Sequence, residues 1–317
     1  MGEFDLIDRF FKRPVRRNAL GVGDDCALLS PTPGMQLAVS CDMLVEGRHF
    51  LSTVDPQRLG HKALAVNLSD LAACGARPLA FTLALAMPQA DAAWLEPFSR
   101  GLLALADEHG CELVGGDTTR GPLNICVTVF GEVPSGQALL RSGARAGDDL
   151  YVSGTLGDAR LALEIFRGTV AQPAEVFALA RGRMEQPTPR VALGQALLGI
   201  ATSAIDVSDG LLGDLGHILR QSGTGVSIDT PAAMGLMMSG ATLSDAQRLD
   251  FVLAGGDDYE LAFTAPPTRR TDVQTAARAA ATAVTRIGCI EPEPGVRLLG
   301  AAGERIERRF DSFDHFA

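Results

Sequence analysis

Apolar residues follow two patterns along this chain, helical spacing and short continuous runs. Together these patterns predict helices and strands that alternate in both halves. Helical spacing of apolar residues covers residues 4–11, 56–73, 92–109, 158–166 and 191–200. Short apolar runs predict strands at residues 36–41, 81–87, 124–133, 149–153 and 203–207. Strands that alternate with helices in this way are typical of an α/β protein with parallel or mixed sheets.

A loop rich in Gly, Ser and Ala interrupts this pattern from Ser135 to Gly147. The chain has 317 residues, which is enough for two domains of ordinary size. We therefore predict two α/β domains, an N-terminal one over residues 1–137 and a C-terminal one over residues 138–317.

Composition limits the partners of the protein. The formal net charge is -10, whereas broad nucleic-acid binding needs basic side chains that neutralise phosphates. The sequence has no apolar run long enough for a transmembrane helix, and its acidic N-terminus does not resemble a signal peptide. The six cysteines form no C-x-x-C pair and are typical of reduced thiols. We predict a cytoplasmic protein with neither a nucleic acid nor a membrane as its partner.

Five short turns combine aspartate with glycine or with a second polar residue. They are Gly23-Asp24-Asp25, Asp42 with Glu46, Gly116-Asp117, Asp206 with Ser208-Asp209-Gly210, and Gly256-Asp257-Asp258; a further carboxylate, Asp70, lies in a predicted helix. Magnesium prefers hard oxygen ligands, and glycine lets phosphate approach the backbone. A single turn of this kind is explained more simply by the turn preference of Asp and Gly. Five of them at predicted strand ends favour a magnesium and phosphate site.

The familiar nucleotide and nucleophile motifs are absent from the sequence. The only lysines are Lys12 and Lys62, and neither completes a Walker A loop. The dinucleotide fingerprint and the G-x-S-x-G elbow are also missing. Arg141 is a candidate phosphate ligand, although a solvated loop arginine explains it equally well. His49 is a candidate base or substrate donor, although a lone histidine is more often structural.

Taken together, the motifs resemble the thiamine-monophosphate kinase family. Six motifs occur in the order seen in that family, at residues 21–27, 42–50, 67–70, 115–119, 206–211 and 256–261. The match covers nearly the whole chain and ends at residues 313–316. The acidic turns are shared with aminoimidazole ribonucleotide synthetase and selenophosphate synthetase, whereas residues 44–50 and the aromatic tail are more specific to the kinase.

The resemblance implies a role for each matched position. The implied magnesium ligands are Asp25, Asp42, Asp70, Asp117, Asp206 and Asp209, with additional contacts from Ser40 and Cys41. The implied ATP contacts are Gly116, Asp117, Arg141 and Ser208. The implied contacts to thiamine monophosphate are His49, Glu260 and Phe313.

The resemblance also implies a reaction and an assembly. The reaction is ATP-dependent phosphorylation of thiamine monophosphate to thiamine diphosphate, with several Mg²⁺ ions and no general base. The N-terminal domain would form a shared sheet or barrel in a homodimer, and the C-terminal domain would cover the active site. Two alternatives stay open at this point: a superfamily relative that activates an amide or a selenide with ATP, and a non-catalytic sensor of magnesium or nucleotide.

Overall fold

The computed structural model describes residues 2–17, 20–238, 240–308 and 310. The chain divides into two compact units, one built from residues 1–71 and 76–136, the other from residues 72–75 and 137–317. The second unit takes over after Gly136, beside the boundary predicted after residue 137. Each unit is a mixed α/β structure with a sheet of its own, as the alternating pattern predicts.

The first unit contains a four-stranded sheet in the order β1-β4-β2-β3. Its strands are β1 (Met35–Val45), β2 (Arg77–Met87), β3 (Glu112–Arg120) and β4 (Asn124–Pro134), and its helices are α1 (Glu3–Phe10), α2 (Pro56–Ala73) and α3 (Ala92–His109). Strand β4 is antiparallel to β1 and to β2, whereas β2 and β3 are parallel. Helix α3 makes the crossover that two parallel strands require.

Helices α2 and α3 have the bounds that their apolar spacing predicts. The side chain of Asp91 accepts a hydrogen bond from the backbone N–H of Ala93 at the start of α3, and Gly110 ends it in the left-handed conformation at φ 58°. The two helices touch backbone to backbone, because a Cβ at Gly101 would lie 1.8 Å from the carbonyl oxygen of Gln57.

One face of the first sheet is packed and the other is open. In β4 the side chains of Ile125, Val127 and Val129 are buried, at 0–1% exposure, while the residues between them are half-buried. In the edge strand β1, the apolar side chains on the open face remain exposed, at 42% for Leu37, 58% for Val39 and 53% for Met43. Three exposed apolar side chains in a row are unusual on a monomer.

The second unit contains a six-stranded sheet in the order β10-β7-β9-β5-β8-β6. Its strands are β5 (Asp149–Ser153), β6 (Ser203–Val207), β7 (Gly225–Asp229), β8 (Glu260–Ala265), β9 (Val284–Glu291) and β10 (Gly295–Leu299). Its helices are α4 (Asp158–Phe166), α5 (Ala174–Glu185), α6 (Val191–Ala196), α7 (Leu211–Ser222), α8 (Thr230–Met234), α9 (Asp245–Ala254) and α10 (Arg270–Ala279), with a short 3₁₀ turn at Pro267–Arg269. In β5, β6 and β8 every residue is buried, so the rest of the unit covers these strands, including β6 at the edge of the sheet.

Several predicted boundaries are wrong, and hydrogen bonding between distant strands explains two of them. Strand β1 does not end at Asp42, because its pairing with β4 continues to Val45 opposite Asn124. Gly116 and Asp117 do not form a turn, because β3 pairs with β2 as far as Arg120. Glycine and aspartate are turn residues by local preference, and here the ladder to the neighbouring strand outweighs that preference.

Two differences concern helices of the second unit. Helix α6 ends at Ala196 rather than at residue 200. Ser208 does not cap α7, since Gly210 occupies the N-cap position and no side chain caps that helix. Within the described ranges, no helix combines the length and the apolar character needed to cross a membrane.

Candidate functional site

In the first unit, polar contacts join strand β1 to helix α2. The hydroxyl of Ser40 donates to the Oδ2 atom of Asp70 at 2.5 Å. The backbone N–H of Asp42 donates to the Oδ1 atom of Asn67 at 3.0 Å. The structure therefore brings together three of the residues predicted to bind metal, Ser40, Asp42 and Asp70, with Asn67 from the same motif as Asp70.

Cys41 lies between these residues in sequence, but its thiol is on the other face of the sheet. Consecutive side chains of a strand point to opposite faces, so the Cys41 thiol does not join the Ser40 and Asp42 side chains. Its Sγ atom is 3.4 Å from Sγ of Cys126 and accepts a hydrogen bond from the Thr128 hydroxyl. Burial and the Cys41 contact raise the pKa of Cys126 to about 11, so this thiol stays protonated at neutral pH.

Gly116 and Asp117 lie on β3, at the opposite edge of the sheet from β1. A transverse row of the sheet runs from Asp42 through Val127 and Leu83 to Gly116. Three strand spacings of ~4.8 Å separate its ends by roughly 14 Å. Asp117 belongs to the next row and faces the open side with Met43, so this unit by itself does not bring Asp117 together with Asp42.

The Asp24-Asp25 turn is exposed. The backbone N–H of Asp25 donates to the side chain of Asp24 at 2.9 Å, which closes the turn on itself. The described contacts do not join Asp25 to Asp42 or to Asp70.

In the second unit, the turn after β6 is held by a buried carboxylate. Asp206 is 6% exposed at the end of β6. The Oδ2 atom of Asp214 accepts hydrogen bonds at 3.0 Å from the backbone N–H groups of Ser208 and Asp209. Burial, together with the negative charge of Asp209, raises the pKa of Asp214 to about 7. No sequence signal pointed to Asp214, because it lies four residues inside the helix that follows the motif.

A second acidic segment binds this turn through the backbone. The N–H of Asp257 donates to the Ser208 carbonyl at 2.7 Å, and the N–H of Tyr259 donates to the Val207 carbonyl at 2.8 Å. Asp257 and Tyr259 both have positive φ, 64° and 53°, which is strained for residues with a side chain. The structure thus brings together two of the predicted acidic turns.

Asp258 faces inward; it belongs to one of the acidic turns found in the sequence, but no individual role was predicted for it. Its exposed fraction is 3%, and both of its oxygens accept from the backbone N–H of Gly157, at 3.1 and 3.0 Å. Burial raises its pKa well above the ordinary value. Asp258 therefore anchors the strained segment to the start of α4.

Glu260, predicted as a substrate contact, is completely buried at 0% exposure. Its carboxylate accepts hydrogen bonds from Arg183 at 2.7 Å, from Nε of Arg190 at 2.6 Å and from the hydroxyl of Ser153 at 2.5 Å. Burial leaves no surface of this carboxylate for a direct substrate contact in the described structure, whereas the side chains of Arg183 and Arg190 have exposed fractions of 22% and 16%.

Arg141 is exposed on the loop before β5. Burial, with the positive charges of Arg220 and Arg141, lowers the pKa of His217. The charge of Asp209 acts on the same ring, so Arg141 and Asp209 share one neighbourhood around His217. His217 was missed from the sequence, where nothing distinguishes it from a surface histidine of α7.

Phe313, predicted as a substrate contact, lies outside the described residues. In the part of the chain that the structure describes, no three His, Cys, Asp or Glu side chains are grouped so that they could hold a metal ion. Metal binding would therefore depend on pairs of carboxylates, with oxygens of a bound substrate and water completing the coordination.

Known proteins resemble this chain over its full length. Residues 23–133 match the family described as AIR synthase related protein, N-terminal domain. The thiamine-monophosphate kinase of Salmonella typhimurium is 44% identical over 323 residues, which cover 100% of this chain and 98% of that protein. The crystal structure of thiamine-monophosphate kinase from Stenotrophomonas maltophilia has a TM-score of 0.85 and 44% identity, with 96% of each chain covered. AaThiL complexed with AMPPCP and TMP has a TM-score of 0.76 and 28% identity over 99% of this chain and 96% of that one.

Proposed function

The chain belongs to the thiamine-monophosphate kinase family, and we propose that it phosphorylates thiamine monophosphate with ATP by magnesium-assisted in-line transfer. The main support for this activity is the full-length similarity to a thiamine-monophosphate kinase at 44% identity. A relative of similar fold binds AMPPCP, an ATP analogue, together with TMP. The roles of individual residues and of magnesium are our proposal.

The acceptor needs no general base. A phosphate monoester loses its second proton with a pKa of about 6, so its oxygen is already a nucleophile at neutral pH. The barrier lies instead in bringing two polyanions together, since two like unit charges ~4 Å apart repel by ~4 kcal/mol at an effective dielectric constant of ~20. The chain must therefore hold and orient its substrates in an environment of compensating positive charge.

The carboxylates of the first unit fit a magnesium ion by the chemistry of their donors. Asp42, Asp70 and Ser40 offer hard oxygen atoms on one face of β1 and α2, and the Cys41 thiol is turned away. Magnesium usually keeps several waters and takes only one or two protein carboxylates, so this pair suffices. Bound there, magnesium would supply the positive charge that the reaction needs.

In the second unit, Asp206 and Asp209 are the proposed metal ligands, and Ser208 is a proposed nucleotide contact. The support is the rigidity of their turn, which Asp214 and the Asp257 N–H hold from two sides. Rigid carboxylates would hold, at little reorganisation cost, a metal ion through which a polyphosphate binds. Asp25, Gly116, Asp117 and Arg141 are further proposed ligands, which rest on the resemblance alone.

For the acceptor substrate, we propose that His49 binds the phosphate and that Glu260 acts indirectly. Glu260 fixes Arg183 and Arg190, whose remaining N–H groups can bind an anion. Phe313, which lies outside the described residues, is proposed to stack on the thiamine ring.

We further propose a homodimer formed through the open face of the first sheet. The row of Leu37, Val39 and Met43 supports a second copy as the occupant, because β1 is also an edge strand of its sheet, where the strand of another chain can pair. A cytoplasmic location is proposed as well, and all six cysteines being free thiols supports it.

The test is a direct assay with ATP, Mg²⁺ and thiamine monophosphate, in which thiamine diphosphate and ADP are measured by chromatography. We expect equal amounts of both products, and none when EDTA is present. Free thiamine is the matched control substrate, and we expect no product from it, because its hydroxyl would need a base. Formation of thiamine phosphate from free thiamine would refute the proposed acceptor, and ATP binding without turnover would refute the kinase.

A further inference from the structure

Helix α2 makes two contacts with strand β1 and a third with the turn that follows this strand. The contacts run in opposite order along the two elements: Ser40 with Asp70, Asp42 with Asn67, and then His49 with Lys62. In the last one the ammonium of Lys62 donates to the backbone carbonyl of His49 at 3.1 Å. Lys62 therefore reaches the turn that follows β1 from the first part of α2.

Lys62 is almost completely buried. Its exposed fraction is 2%, and its neighbours Leu59, Ala63 and Val66 are each 1% exposed. Removing an ammonium from water costs several kcal/mol unless its new partners compensate. The hydrogen bond to the His49 carbonyl is one of the contacts that compensate this cost.

The turn that Lys62 contacts fixes the histidine ring. The backbone N–H of Val45 donates to Nδ1 of His49 at 3.0 Å, and an accepting Nδ1 carries no proton. The neutral ring then carries its proton on Nε2. Backbone hydrogen bonds close the turn, from His49 to the Val45 carbonyl at 3.0 Å and from Gly47 to the Phe50 carbonyl at 2.8 Å.

We propose that Lys62 is a positioning residue for the acceptor substrate: its ammonium holds the carbonyl of His49, so that the ring keeps the Nε2–H tautomer and donates to the phosphate of thiamine monophosphate. This inference rests on the proposed function of His49 as a phosphate ligand. It assigns Lys62 no contact with either substrate, and its effect reaches the phosphate through the turn.

The kinetic test uses Lys62→Met and Lys62→Gln, with Arg100→Met as the matched control. Arg100 is an exposed cation that also hydrogen bonds to α2, through Gln57. We expect Lys62→Met to raise the KM for thiamine monophosphate about tenfold and to leave the KM for ATP within about twofold. Lys62→Gln keeps a donor for the His49 carbonyl and should fall between Lys62→Met and the unchanged protein. An unchanged KM in both Lys62 variants would overturn the proposal.

A double-mutant cycle with His49→Ala separates positioning from independent binding. If Lys62 acts through the ring, Lys62→Met should add nothing to the KM of His49→Ala. Effects that multiply would show that Lys62 works by another route and would overturn the proposal.

A nitrogen NMR spectrum of the histidine ring tests the same idea without turnover. In the unchanged protein we expect an unprotonated Nδ1 and a protonated Nε2 at His49, and a mixture of tautomers in Lys62→Met. A ring protonated on Nδ1 would overturn this inference even if the kinase assay succeeds. An expected spectrum without phosphorylation of thiamine monophosphate would instead refute the proposed function.

Discussion

The hydroxyl of Ser40 and the carboxylate of Asp70 are joined by a hydrogen bond of 2.5 Å between a strand and a helix of the same unit. The bond spans 30 residues of sequence, and it orients one oxygen of a carboxylate that we propose as a metal ligand. Both residues can be changed with little loss of volume, so their contributions can be measured separately.

Asp70→Asn should lower kcat/KM by at least about 100-fold, because it removes a charge from the proposed metal site and keeps the shape. Ser40→Ala should lower it by only about three- to tenfold, which corresponds to one hydrogen bond. The measurement is kcat/KM over a range of Mg²⁺ concentrations, where Asp70→Asn should also need more Mg²⁺. Asp107→Asn on α3 is the exposed control; a loss as large as that of Asp70→Asn would show that net charge, not the site, matters.

Glu260→Gln should destabilise the second unit by ~3–5 kcal/mol, because it leaves Arg183 and Arg190 partly buried without their counter-charge. Urea unfolding followed by circular dichroism measures this change. Glu185→Gln is the matched control, since Glu185 is a buried glutamate that pairs with Arg181 one turn away on the same helix. Equal losses in both variants would contradict a special role for the Glu260 cluster.

The pH dependence of stability should depend on Asp149. A hydrogen bond from Arg270, opposed by burial, holds the pKa of this carboxyl below its ordinary value. A depressed folded pKa stabilises the fold above the unfolded pKa of ~3.9, and this contribution disappears as the pH falls through the folded value. The melting temperature of Asp149→Asn should therefore lie below that of the unchanged protein at pH 7 and approach it in acid.

The control for this prediction is Asp272→Asn, which removes an exposed carboxylate paired with Arg269. This pair lies at the start of α10, where Arg270 is also located. It should change the melting temperature little at any pH. If the difference in melting temperature between Asp149→Asn and the unchanged protein grew in acid, the predicted direction of the pH effect would be wrong.

Val39→Asp should dissociate the proposed homodimer, because pairing would bury an unpaired carboxylate at a cost of several kcal/mol. We expect the dimer dissociation constant to rise at least about 100-fold, measured by sedimentation equilibrium. Leu179→Asp is the control, because Leu179 is 61% exposed on α5, in the other unit. An unchanged protein that is monomeric at all concentrations would rule out this assembly.

Local pattern predicted the elements whose stability is largely local. Helices α2, α3 and α4 and strands β5 and β6 have the predicted bounds, because apolar spacing and cap residues such as Asp91 and Gly110 mark their ends. The central part of β3 was misjudged because Gly115, Gly116 and Asp117 favour turns, and the ladder to β2 cannot be read from the sequence around them.

The sequence motifs selected candidate residues for the site but not their arrangement. The acidic motifs selected Asp42, Asp70 and Asp206, and the structure adds the backbone contact of Asp42 and the side-chain contact of Asp70. The environment of Glu260 could not be foreseen, because its partners Arg183 and Arg190 lie 77 and 70 residues away. Burial of this kind depends on the whole unit rather than on a motif.

The scarcity of lysine gives the protein a built-in reporter of its own motions. An amine-reactive reagent should label Lys12, whose side chain is 51% exposed, in the folded state. Lys62 should react only when the first unit opens far enough to let the reagent in. The ratio of the two labels, read by mass spectrometry, would report how much of the time the unit is open, and a substrate bound at the His49 turn should reduce the labelling of Lys62.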